Sequence, residues 1–153
     1  MTEAKKQISE QQLMQMAQQE RQALENKRNV LEKLSHIFKE TVITKETLKE
    51  MQTANGKVLV NLGASVLVEL EANSIKKVKR GIAEHAYKED SIEETIKWLS
   101  DREEKLQKQL NKLSAEYSSE EQKLTDMIGI LKQIDAEKRK AIENRKKVPT
   151  ISK

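Results

Sequence analysis

The feature that most constrains this chain is a run of apolar residues at alternating spacings of four and three, which occupies the whole second half. It passes through Ile92, Ile96, Leu99, Glu103, Leu106, Leu110, Leu113, Tyr117, Glu120, Leu124, Met127, Leu131, Ile134, Lys138 and Ala141. Only Glu103, Glu120 and Lys138 interrupt it. A stripe with a mean period of 3.5 residues buries its side chains only against another helix, so the pattern demands a coiled coil. Ser91 followed by Glu94 is a capping box that predicts where this helix starts. Pro149 predicts its end near Lys147, because proline lacks an N–H and disfavours helix in the residue before it. Gly129 lies inside the stripe and weakens the helix by about 1 kcal/mol relative to alanine.

The partner must come from the first half. From about Thr2 to Thr53 the chain is rich in Gln, Glu, Lys and Met, with Ile8, Leu13, Met16, Leu24, Leu31, Leu34, Ile37, Phe38, Leu48 and Met51 marking one broad face. This reads as a second helix, residues 1–54, with a drifting register and a bend or distortion expected at the β-branched Thr41-Val42-Ile43-Thr44. Asn55-Gly56 stops it, since both residues tolerate the left-handed conformation. Each helix has about 50 residues, a rod of roughly 75 Å. Two rods of matched length can fold back on each other, which brings the chain ends together.

Between these helices residue preferences change. Val58-Leu59-Val60-Asn61-Leu62, Gly63-Ala64-Ser65 and Val66-Leu67-Val68-Glu69-Leu70 read as strand, tight turn, strand. A second pair is drawn through Ile75–Ile82 and Ala83–Lys88, so that residues 57–88 hold two β-hairpins, 91–147 the second helix and 148–153 a tail. The fold class is mainly α: one domain, a long antiparallel coiled-coil hairpin with two short β-hairpins at the helix–helix connection. Two such hairpins cannot bury both faces or pair their own edges, and this predicts assembly with other chains through Val58, Leu59, Val60, Leu62, Val66, Leu67, Val68, Val78, Ile82 and Tyr87.

Composition narrows the function. Of 153 residues, 36% are hydrophobic, 35% charged and 3% aromatic, which suits a narrow seam between solvated faces better than a globular core. The net charge of +4 is spread among interleaved acids and bases; only Lys138, Arg139, Lys140, Arg145, Lys146 and Lys147 cluster, which reads either as a solvated helix end favoured by the macrodipole or as a source of attraction to acidic partners. A nucleic-acid binder would need a basic stripe with aromatics, and Trp98 and Tyr117 read as packing residues. His36 and His85 lack the neighbours of a metal site. No phosphate loop, zinc-protease motif or nucleophile elbow occurs, so neither catalysis nor a cofactor is expected. The absence of cysteine, of a signal peptide and of a membrane-length apolar run points to a cytoplasmic protein.

The helix, the segment Val58-Leu59-Val60-Asn61-Leu62-Gly63-Ala64-Ser65-Val66-Leu67-Val68, then Lys77-Val78-Lys79-Arg80-Gly81-Ile82 and the capped heptad helix together resemble prefoldin. The resemblance is to the alpha class, which carries two hairpins where the beta class has one, in either its archaeal or its eukaryotic form (subunit 5). The chain departs from the family at Asn61, where proline is usual, and at Gly81-Ile82-Ala83-Glu84-His85-Ala86-Tyr87, which lacks the usual paired glycines. The resemblance implies an ATP-independent co-chaperone. Two alpha-class and four beta-class subunits would form a hexamer, their hairpins closing inter-subunit β-barrels, and the coiled-coil tips would hold unfolded proteins for a group II chaperonin. Ile8, Leu13, Met14, Met16, Leu131, Ile134 and Ile142 would then be the client-binding tips, flexible methionines suiting a poorly specific surface. The alternative is a structural coiled-coil tether or assembly subunit without chaperone activity.

Overall fold

A computed structural model describes residues 8–53 and 55–147. Its elements run α1 (Glu10–Thr53), β1 (Lys57–Gly63), β2 (Val66–Glu71), a 3-10 turn at Ala72–Ser74, β3 (Lys77–Ala83), β4 (Ala86–Ser91) and α2 (Ile92–Lys146). The chain divides into two compact units, one holding residues 8–31 with 112–147 and the other residues 32–111. Residues 1–7 and the tail with Pro149 lie outside the described part.

Each helix begins at a reciprocal cap. The Ser91 hydroxyl accepts from the Glu94 N–H at 3.1 Å while the Ser91 N–H donates to the Glu94 carboxylate at 3.3 Å. The same device opens α1: the Gln12 N–H donates to Ser9 Oγ at 3.2 Å, and the Ser9 N–H to the Gln12 side chain at 2.9 Å. The expected helix over residues 2–7 lies outside the described residues, and helix α1 starts at Glu10. It also runs unbroken through the β-branched stretch, where Thr41 is buried and donates its hydroxyl to the Ile37 carbonyl at 2.7 Å.

The seam of α2 follows the heptad positions, each of them buried or half-buried from Ile92 to Ile134; beyond that every described residue, through 147, is exposed. The drift expected in α1 is absent. Glu10, Leu13, Ala17, Glu20, Leu24, Lys27, Leu31, Leu34, Phe38, Thr41, Lys45 and Leu48 keep an unbroken three–four spacing, and each is buried or half-buried. The regularity was concealed because five of these twelve positions are polar.

In the unit of residues 32–111, Leu48 of α1 and Ile92 and Leu99 of α2 form a small core against which Met51, Ile75, Val78, Ile96 and Trp98 pack. The strands make two separate antiparallel hairpins, β1–β2 and β3–β4. The Ala72 N–H donates to the Gly56 carbonyl at 2.8 Å, closing the first hairpin at its base. Gly56 has a φ of +147° and meets the glycine expectation there. Each hairpin turns in two residues, Ala64-Ser65 and Glu84-His85, with Ala64 and Ser65 both at positive φ. Without glycines, that turn is held at a conformational cost of about 1 kcal/mol or more per residue.

The second hairpin lies elsewhere than expected. Its strands are Lys77–Ala83 and Ala86–Ser91, not Ile75–Ile82 and Ala83–Lys88. Ile75 leaves the sheet to join the core, where it is half-buried, and Ser91 ends β4 while capping α2.

Candidate functional site

The register of the first hairpin sorts its apolar residues by face. Val58 opposes Leu70 and Val60 opposes Val68, so these four share one face and carry no charge among them. On the other face Leu59 opposes Glu69, Asn61 opposes Leu67 and Lys57 opposes Glu71, with an ion pair between Lys57 and Glu69. Both faces expose large side chains: Leu59, Leu62, Val66 and Leu67 are each more than half exposed, and Leu70 is 41% exposed. Leu70, omitted from the expected assembly residues, shares the face of Val58, Val60 and Val68. A groove of about 330 Å³ lies between the last turns of α1 and β1, lined by Thr47, Glu50, Met51, Val58, Leu59 and Val60.

The second hairpin is different in kind. Val78 is half-buried and packs on the Leu48–Ile92–Leu99 core, where Ile75 also packs. Arg80 stands opposite Lys88, a like-charge pair that would destabilise the ladder by itself. Asp90 resolves it. Its buried carboxylate accepts from Arg80 Nε at 3.2 Å and lies 3.3 Å from Lys88 Nζ. Burial pushes the Asp90 pKa upward, yet the bonds from Lys88 and Arg80 outweigh it and hold the carboxyl below the usual range. Arg80 also stacks on Trp98 with its guanidinium 4.3 Å from the ring centre, and Arg102 approaches the same ring at 5.3 Å. This hairpin is thereby fastened to α2. Ile82 (61% exposed) and Tyr87 (68%) remain outside, the Tyr87 ring lying over Gly81.

The seven expected client-binding residues all fall in the unit of residues 8–31 and 112–147. Ile8, Met14, Met16 and Ile142 are exposed, while Leu13, Leu131 and Ile134 are half-buried in the seam. An ion pair between Glu10 and Lys138 joins the start of α1 to the last part of α2 beside them. Among the described residues no cluster of His, Cys, Asp or Glu could hold a metal, and no described helix is long and apolar enough to cross a membrane.

Comparison with known proteins agrees with this geometry. No curated protein matches the chain. Its fold is similar to that of a chain in the cryo-EM structure of filamentous PFD from Methanocaldococcus jannaschii, with a TM-score of 0.58 and 23% identity, covering 74% of this chain and 95% of that one. The family model for the prefoldin subunit matches residues 18–137, which include both hairpins and most of both helices. With two long helices joined through two antiparallel hairpins, and that match over most of its length, the chain belongs to the prefoldin family of coiled-coil, chaperone-like subunits.

Proposed function

We propose that this chain is an alpha-class subunit of an ATP-independent, cytoplasmic co-chaperone. It assembles through its hairpins with a second alpha-class and with beta-class subunits, and holds unfolded proteins at its helix ends for a group II chaperonin. The observation that carries the reading is that exposed apolar residues gather on the first hairpin and again near the helix ends. One group is that of the first hairpin, where Leu59, Val60, Leu62, Val66, Leu67 and Leu70 are exposed on a sheet whose two edges are open among the described residues. The other is Ile8, Met14, Met16 and Ile142 near the helix ends. An open-edged apolar sheet gains from adding strands and covering its face, whereas scattered, flexible apolar side chains suit many partners weakly. The presence of two hairpins supports the alpha class. The chain, mixed with a beta-class partner, should suppress aggregation of a denatured protein without ATP. Removing residues 1–12 and 142–153 should abolish suppression while leaving the mass of the complex unchanged. Undiminished suppression by the truncated complex would rule out the helix ends as the client site.

The likeness to a filamentous prefoldin chain favours a second reading of the partner, in which copies of this chain assemble with each other. Light scattering on the purified chain separates the two: a large, concentration-dependent mass supports self-assembly, and a small one a requirement for beta-class subunits.

A further inference from the structure

The three interruptions of the α2 stripe are each matched by an opposite charge at a seam position of α1: Glu103 with Lys45, Glu120 with Lys27, and Lys138 with Glu10. These positions step along both helices by seventeen or eighteen residues, about five turns. We infer that these three charge layers fix the register of the α1–α2 coiled coil, a role distinct from holding clients or assembling subunits.

Three features support this. A slip of one heptad in either direction would set Lys45 against Ile96 or Leu110 and Lys27 against Leu113 or Met127, leaving each charge without a partner in an apolar layer. The sign pattern is also not self-similar. Two layers place the base on α1, but the third places it on α2, so a slip by one full layer spacing that pairs Lys45 with Glu120 brings Lys27 to Lys138. Finally, the Lys27–Glu120 layer is poorly made for stability alone: Glu120 keeps a buried carboxylate oxygen without a hydrogen-bond partner, while Lys27 is shared with Glu116 at 3.5 Å. Leucines would fill such a layer at less cost in lost hydration; what they would not do is reject the wrong register.

The chain contains no cysteine, so spin labels can be placed at will on Gln18→Cys and Lys112→Cys, both exposed and offset along the seam. Electron–electron distance measurements on the full chain should give one narrow distribution. Replacing Lys27, Glu120, Lys45 and Glu103 with leucine should keep or raise the melting temperature. It should also add populations displaced by up to about 10 Å, one heptad of helical rise. A single native-like distance in that variant would overturn the inference. Should the leucine variant aggregate, Lys45→Glu decides: it should broaden the distribution, and adding Glu103→Lys should restore it. Failure to broaden or failure of the swap to restore would equally overturn the proposal.

Discussion

Ser91 ends strand β4 and caps helix α2, so one hydroxyl couples sheet to helix with no intervening loop. The pair Ser91–Glu94 was legible because a capping box is a local pattern, four residues long and independent of packing. Ser9–Gln12 obeys the same rule and was equally available, yet the Gln-rich stretch around it reads as continuous helix unless the glutamine is recognised as the box partner. Gly129 shows the complementary case. It sits in mid-helix on the exposed side with open space where a Cβ would be, so no contact requires it. Gly129→Ala should raise stability by about 1 kcal/mol, read as a higher denaturant midpoint.

The two hairpins look alike as patterns but are held by different forces. The first displays an uncharged face and is closed at its base by the Ala72–Gly56 backbone bond, with the Lys57–Glu69 ion pair on its other face, whereas the second is tied down by Arg80, Lys88 and Asp90 and by the stacking of Arg80 on Trp98. Asp90 makes that element acid-sensitive. Its carboxyl is held below the ordinary aspartate pKa in the folded chain, so it contributes stability that is fully present above the unfolded value. That contribution is lost as pH falls through about 4 and below. Melting temperature measured by circular dichroism should therefore fall between pH 5 and 3 by more in the native chain than in Asp90→Asn, which should already be less stable at pH 7. Equal acid slopes would show that Asp90 carries no such role. The edges of this hairpin were misplaced in the sequence because Ile75 and Ala83 are both plausible in strands, and nothing local says that Ile75 belongs to the helix core.

Assembly is a property of the whole chain, and the apolar face of the first hairpin is where a single substitution tests it. Val60→Asp places a charge beside the half-buried Val58 and Val68 and the exposed Leu70. The helical content and melting of the chain alone should barely change, while the mass of the complex measured by light scattering should drop to that of unassembled chains. Retention of the full mass would move the interface elsewhere.

The antiparallel helical hairpin, its interruption by strands and the seam of α2 were already present in the order of residues, because heptad spacing, caps and turn residues act over short distances. The seam of α1 was not. Its polar members Glu10, Lys27 and Lys45 look like ordinary solvated charges until the facing helix supplies Lys138, Glu120 and Glu103. Likewise, Val58, Val60, Val68 and Leu70 become one face, and Val78 becomes core, only once strand register and the docking of β3 on α2 are known. Partnership across elements depends on which residues the fold brings opposite one another, and no local pattern in a single segment contains that information.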